Sequence, residues 1–296
     1  TLSSSSAASD VYKRQDFIAG GFLWTGTDYI GEAGWPSHGW PAGLFDICMV
    51  EKPRAAFHRA MWNDEPMVRI AVRDNALDID HGRDLWQWPN MAAIWNFPRS
   101  YEGLVIEVNT TTNCERVALF HNGNEMGVRR TADYPNHTIT WCLPYRRGTL
   151  VAKGINGTDT VAVHEIRTAG DAVRLKATAD RGKLMADGQD LSYVQVELLD
   201  KDGTLVQHAD RHVKASIEGE GRLVGFISSD LRRKTPFTSH EDKTYFGRAM
   251  AIVQSTRKVG TIRLRFDVEG WDDPVWVELA SEALPKDYVS DIPSFR

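Results

Sequence analysis

Apolar and polar positions divide the chain into three stretches of different rhythm. The first opens on a nearly unbroken apolar run, Asp16-Phe-Ile-Ala-Gly-Gly-Phe-Leu-Trp24. Such a run predicts a short strand buried on both faces. A polar stretch rich in Gly, Pro and Trp follows from Thr25 to Pro41. Pro53-Arg-Ala-Ala-Phe-His-Arg-Ala-Met-Trp62 then predicts a helix, with proline in the first turn where its missing N–H costs nothing. Phe57, Met61 and Trp62 are expected to share one face of it. Strand, loop and helix make one βα unit, which cannot bury itself alone. The Phe17 to Trp24 strand should therefore show an unpaired edge.

The second stretch, residues 66–167, reads as β. Leu104 to Val108, Arg116 to Phe120, His137 to Trp141 and Val161 to Ile166 are the expected strands. Asn122-Gly123 and Asn156-Gly157 signal tight hairpins, because both turn types need residues tolerant of positive φ. The connection from Asp74 to Ser100 is long and rich in Trp, Pro and Asn. A connection of that length is usually functional or docked on a neighbour.

The third stretch, residues 168–296, starts at the Thr168-Ala169-Gly170 step. Seven strands are expected: Val173 to Ala177, Tyr193 to Leu199, Val213 to Ile217, Arg222 to Ile227, Arg248 to Gln254, Thr261 to Val268 and Val275 to Leu279. Asp202-Gly203 marks a hairpin. Seven short strands at this spacing suit an immunoglobulin-like sandwich.

Composition narrows the function classes. The net charge is −5 and no basic stripe stands out, which argues against nucleic-acid binding. No apolar run reaches transmembrane length, so no membrane partner is expected. Cys48, Cys114 and Cys142 form neither a disulfide framework nor a metal spacing. The nine histidines show no metal spacing either, and no cofactor is expected. His58 is expected on the helix surface and His121 in a turn. Asp180, Asp187, Asp190 and Asp200 lack a calcium-loop register and are expected as solvated loop carboxylates. Asn109, Asn136 and Asn156 open glycosylation triplets of the kind that arise by chance. Tryptophan is abundant: ten in the chain, seven of them from Trp24 to Trp95. Indoles serve packed interfaces or stacking platforms, and a pyranose ring offers an apolar face to stack.

The N-terminus is of a different kind. Residues 5 to 15, Ser-Ser-Ala-Ala-Ser-Asp-Val-Tyr-Lys-Arg-Gln, resemble a transposase sequencing adaptor translated in one frame. Residues 1–15 are thus expected to be adaptor-derived, and the chain to be the remainder of a longer protein; the alternative is a natural disordered leader.

Several blocks together resemble the C-terminal part of β-galactosidase-like enzymes of glycoside hydrolase family 2. Gly20-Gly-Phe-Leu-Trp-Thr-Gly-Thr-Asp-Tyr-Ile-Gly-Glu32 resembles the family's eighth barrel strand and its loop. Gly43-Leu-Phe-Asp46 with Lys52-Pro53 resembles the step into the last barrel helix. Trp95-Asn-Phe-Pro98 resembles a signature that follows the barrel. Asn113, Val117 to Gly123 and Gly127 resemble the next sandwich, and Ala186 to Leu191 with Val194 to Asp200 and Gly203 the one after. The resemblance implies a mainly β chain: residues 16–65 as the last βα unit of a TIM barrel, then two immunoglobulin-like β-sandwich domains.

It also implies a retaining β-glycosidase acting on a β-linked saccharide, most simply a β-galactoside. Retention needs two carboxyls roughly 5–5.5 Å apart, one as acid/base and one as nucleophile. The family carries both on earlier barrel strands, before Asp16. No catalytic residue is then expected in this chain, which should be inactive alone. A periplasmic or extracellular location is implied by the same resemblance. Competing expectations are a β-glucuronidase or β-mannosidase, and a non-enzymatic tandem sandwich that binds glycans or proteins through exposed tryptophans.

The candidate substrate-binding residues are Trp24, Asp28, Glu32, Trp35 and Trp40. The resemblance makes Trp24 a site-lining indole at a barrel strand end; the residues alone leave open a core indole. Asp28 and Glu32 form a loop carboxylate pair, for a structural role or a hydrogen bond near the sugar rather than direct catalysis. Trp35, His38 and Trp40 form either a substrate rim or a proline-pinned packed loop. Trp86, Trp88 and Trp95 are expected to glue domains rather than to bind sugar. Ser228-Ser229 stand where the family more often has a glycine/asparagine turn, so a looser hairpin is expected there.

Overall fold

The computed structural model describes residues 17, 19, 22–73 and 91–285. The expected leader, Trp86 and Trp88 lie outside the described residues. The chain forms two compact units: one from the described residues up to Ala169 joined by Leu231–Arg233, the other from the remaining described residues, beginning at Gly170.

The first unit begins with a small antiparallel pair, β1 (Tyr29–Ile30) and β2 (Gly39–Trp40). The expected Asp16 to Trp24 strand is not formed at its described positions: Phe17, Ala19 and Phe22 to Trp24 lie in no strand, and Phe17 and Phe22 are exposed. A strand needs a partner for its backbone groups, and no neighbour pairs with these residues among the described ones.

Helix α1 (Pro53–Trp62) forms as expected, with Pro53 at its start. Its buried arc differs from the expectation. Ala55, Ala56, Phe57, His58 and Ala60 are buried, while Met61 is half-buried and Trp62 exposed. Ala56 and Ala60, one turn apart, cluster with Met67. Small residues at i and i+4 let the helix lie close on the sheet below, so the alanines rather than the bulky tail define the packed face. His58, expected at the surface, is only 3% exposed. Its ring centroid lies 5.3 Å from that of Phe57 and 4.8 Å from that of Trp62. Burial, with Arg54 adding to it, lowers its pKa to about 4.

The sandwich of this unit stacks two four-stranded antiparallel sheets. Its strands are β3 (Val68–Arg73), β4 (Met91–Ala92), β5 (Val105–Thr112), β6 (Arg116–His121), β7 (Asn124–Arg130), β8 (Thr138–Pro144), β9 (Thr149–Asn156) and β10 (Asp159–Arg167). One sheet runs β4-β3-β5-β8 and the other β10-β9-β6-β7. Alternation puts Val68, Ile70 and Val72 of β3 and Ile139, Trp141 and Leu143 of β8 inward, with Val117, Leu119, Leu150 and Ala152 from the other sheet. Both hairpin signals are realised. Asn122 (φ 51) and Gly123 (φ 81) join His121 to Asn124, as a primed turn requires, and Gly157 (φ 57) follows Asn156. His121, expected in a turn, is instead the buried last residue of β6, its Nε2 3.0 Å from the Arg146 carbonyl.

Polar groups inside this sandwich are paired. The Trp141 indole N–H donates to Thr110 Oγ1 at 2.9 Å. β3 pairs with β4 only at Val72 and Arg73. The Ile70 N–H donates instead to His164 Nδ1 of β10, 3.1 Å away, joining the two sheets. Asn113 ties the helix exit to the sandwich: its Oδ1 accepts from Met67 N–H at 2.8 Å, and its amide donates to the carbonyls of Asn63 and Glu65. Trp95 is fully buried within the unit's own core, its N–H donating to the Arg146 carbonyl at 3.0 Å and its ring edge-on to Phe97, His121 and Tyr145.

The second unit is another sandwich. Its strands are β11 (Arg174–Ala179), β12 (Lys183–Met185), β13 (Leu191–Leu199), β14 (His212–Gly219), β15 (Gly221–Ile227), β16 (Glu241–Lys243), β17 (Arg248–Ser255), β18 (Gly260–Val268) and β19 (Val275–Glu282). The sheets run β11-β13-β17-β15 and β12-β19-β18-β14-β16. All seven expected strands are present; the short β12 and β16 are additional. β12 pairs parallel with β19 and every other pair is antiparallel. Val194, Val196, Leu198, Ala251, Val253, Ile262, Leu264 and Phe266 form the core at period two.

Two expectations change here. Asp200 is buried rather than solvated, its carboxylate accepting backbone N–H groups of Gly170, Asp202 and Thr204. Those donors, outweighing burial together, lower its pKa. Asp180 and Asp187 likewise hold turns through backbone and hydroxyl donors. At Ser228-Ser229 there is no loose hairpin. The chain crosses from β15 to β16 in the opposite sheet, and buried Ser228 donates through N–H and hydroxyl to Asp242 Oδ2 at 2.9 and 3.2 Å.

Candidate functional site

The loop from Trp24 to Lys52 has a floor and a rim. The floor is built on Asp28, which is 7% exposed. Its Oδ1 accepts the Gly43 N–H at 2.8 Å and the Lys52 ammonium at 2.6 Å. Lys52 also donates to the Pro41 carbonyl at 2.7 Å, and Arg54 to the Ala42 carbonyl at 2.9 Å. The start of α1 is thereby sewn to the loop. Gly43 must be glycine for want of space: a Cβ there would lie 2.1 Å from Asp28 N and 2.2 Å from the Thr27 carbonyl carbon. Burial raises the Asp28 pKa, outweighing the pull of Lys52, and lowers that of Lys52, outweighing Asp28. Asp28 is thus buried in the floor, turned away from the surface.

The rim carries the aromatic residues. Trp24 is 66% exposed and is no core indole. Its N–H donates to Tyr29 Oη at 3.4 Å, and the two rings meet edge-on at 5.7 Å. Tyr29 in turn donates to Glu32 Oε2 at 2.5 Å. That hydrogen bond raises the Tyr29 pKa and keeps the phenol protonated. Glu32 sits at φ 48 in the turn that joins β1 to β2, and Gly31 N–H closes that turn on the His38 carbonyl at 2.9 Å. Across the ladder Tyr29 pairs with half-buried Trp40. Trp35, 78% exposed, stands at the far end of the turn, edge-on to His38 at 6.0 Å.

Trp24 and Glu32 are therefore brought together, with Trp40 on the neighbouring strand; Trp35 is set apart and Asp28 faces inward. The rim offers an exposed indole, a phenol and a carboxylate. An apolar sugar face can stack on the first and hydroxyls can bond to the last. The two carboxylates stand apart in environment: Asp28 Oδ1 is held by two donors in the floor, while Glu32 lies at the exposed rim. Sequence reasoning missed Tyr29 and Lys52. The only signals were a phenol three residues before Glu32 and a lone lysine before the helix-opening proline.

Residues 175–274 match the glycoside hydrolase family 2 C-terminal domain 5 model, and residues 103–162 match a domain model of unknown function. A β-galactosidase of Bacteroides ovatus is 29% identical over 272 residues, which cover 91% of this chain and 29% of that protein. A β-galactosidase of Thermoanaerobacter pseudethanolicus is 30% identical over 173 residues, 52% of this chain and 21% of that protein. A β-glucuronidase of Formosa agariphila is 23% identical over 82% of this chain and 22% of its own length. The chain thus spans less than a third of these curated relatives. A glycosyl hydrolase family 2 member from Bacteroides cellulosilyticus superposes with a TM-score of 0.85 at 29% identity, covering 93% of this chain and 38% of that one. With a match to a family 2 C-terminal domain in its second unit and similarity to family 2 enzymes along nearly its whole length, the chain resembles the C-terminal part of glycoside hydrolase family 2 enzymes.

Proposed function

We propose that this chain serves a retaining β-glycosidase whose substrate is a terminal β-galactoside, and that residues 16–65 complete a TIM barrel while both sandwiches are accessory. In this reading Trp24, Tyr29 and Glu32 are one wall of the sugar site. Trp24 carries the pyranose face, and Glu32, held by Tyr29, accepts a sugar hydroxyl. The acid/base and the nucleophile come from outside this chain, so the chain alone is inactive. The observation that carries the proposal is the exposed Trp24–Tyr29–Glu32 relay. The relatives named as β-galactosidases support the substrate class.

The test is hydrolysis of aryl β-galactoside by the complete gene product and by this chain separately. The expected result is turnover by the first and none by the second. Trp24→Ala in the complete enzyme should raise KM at least tenfold. Turnover by the isolated chain, abolished by Glu32→Gln, would overturn the proposal. A second reading is favoured by the β-glucuronidase relative: an aryl β-glucuronide turned over faster than the galactoside would establish it. A periplasmic or extracellular location belongs to the same proposal, and fractionation of the native host tests it.

A further inference from the structure

A cavity of about 620 Å³ opens in the first unit beside the C-terminal end of α1, lined by Met61, Arg116, Arg130, Tyr134, Asn136 and His137 among others. It lies away from the Trp24–Glu32 rim in sequence and shares no lining residue with it. Its volume suits a small ligand of one or two sugar rings.

Several groups around it are already committed. Arg116 donates to the Gly157 carbonyl, and Glu115, the one carboxylate in the lining, accepts from the Gly157 N–H at 2.9 Å. Asn113 is spent on the helix exit, and Thr131 donates to the Cys114 carbonyl. Arg130 is different. Its guanidinium is exposed and has no ion-pair or hydrogen-bond partner among the described residues. His137 Nδ1 is buried with no partner among the described residues. A buried polar atom left so is a group that a ligand can satisfy.

The backbone here is also unusual. Asn136 (φ 60) and His137 (φ 56) are consecutive left-handed residues, and neither is glycine. Such strain concentrates at ligand clamps. Tyr134 adds a ring face, with the Arg129 guanidinium 6.0 Å from its centroid.

We infer that this cavity is a second ligand site, for a sugar that bears a carboxylate. Arg130 takes the carboxylate as a forked, charge-assisted pair. Tyr134 offers a ring face to the sugar. The Asn136 amide and His137 imidazole meet hydroxyls. With two arginines against one carboxylate in the lining, the cavity favours an anion over a neutral sugar. The site differs from the rim proposed above and requires no hydrolysis, so its failure and the failure of that reading are separate outcomes.

The experiment titrates the full 296-residue chain with glucuronic acid, and in parallel with glucose and acetate, by NMR shift perturbation or calorimetry. Glucuronic acid should bind at least tenfold more tightly than either glucose or acetate, which each lack half of the recognition. Arg130→Ala should weaken it at least tenfold, and Arg130→Lys by less. Arg130 is exposed, so both variants should keep the parent melting temperature, and a matched melting curve verifies this. No saturable binding of glucuronic acid, equal binding of glucose, or affinity unchanged by Arg130→Ala would each overturn the inference.

Discussion

Lys52 Nζ stands 2.6 Å from Asp28 Oδ1, and the same oxygen takes the Gly43 N–H. One carboxylate oxygen therefore joins the candidate-site loop to the start of the helix. The pair is poorly hydrated, and burial works against the charge at both ends. Removing one partner leaves the other charge uncompensated. Lys52→Met is expected to cost about 2–3 kcal/mol, below the range for fully buried pairs because Lys52 keeps some exposure. Adding Asp28→Asn, which still accepts from Gly43, should recover most of that loss. Urea unfolding of the single and double variants measures it, and no recovery in the double variant would count against the pairing.

His164 makes the first sandwich sensitive to acid. Its Nδ1 accepts the Ile70 N–H, so the ring must be neutral there. Burial, helped by Arg69, lowers its pKa to about 4, from 6.5. A folded-state pKa below the unfolded value favours the neutral form. The stabilisation is complete above pH 6.5 and is lost as the pH falls toward 4. The loss has an upper bound of about 3 kcal/mol. Denaturation midpoints measured from pH 7 to pH 4 should fall, and less steeply in His164→Gln.

Thr110 and Trp141 test the sandwich core. Both are buried, and the indole N–H has Thr110 Oγ1 as its acceptor. Thr110→Val keeps the shape and removes the acceptor. The cost is expected at about 1–3 kcal/mol, the penalty for a buried donor left without a partner. Thermal unfolding reads it; a change within about 0.5 kcal/mol, as at ordinary surface sites, would contradict the assignment.

Tyr29 should act on function without acting on stability. It is in contact with Trp24 and Glu32 at the exposed rim. Tyr29→Phe is expected to change stability by less than about 0.5 kcal/mol. In the complete enzyme it should raise KM with kcat little changed, since it releases Glu32 from its place. A melting curve beside Michaelis kinetics separates the two effects.

Much of the fold was legible in the chain because β-sandwiches announce themselves locally. Val194, Val196 and Leu198 alternate with polar neighbours, and Asn122-Gly123 marks its own turn. Pro53 set the start of the helix. Three of the misplaced residues share one trait. His58, His121 and Asp200 are polar, and polarity by itself points to the surface. Each is buried because the surrounding fold supplies partners or packing: the Phe57 and Trp62 rings, the Arg146 carbonyl, and three backbone N–H groups.

The candidate site divides in the same way. By itself the sequence determined that Trp24, Asp28 and Glu32 share one loop leading to a helix, and that two β domains follow. Only the tertiary structure decided that Asp28 faces Lys52 inside while Trp24 and Glu32 meet through Tyr29 outside. Local pattern fixes which backbone segments bend or extend. The direction of a loop side chain follows from the partner that folding brings to it: for Asp28 that is Lys52, 24 residues on and 2.6 Å away, and for Trp24 and Glu32 it is Tyr29 between them.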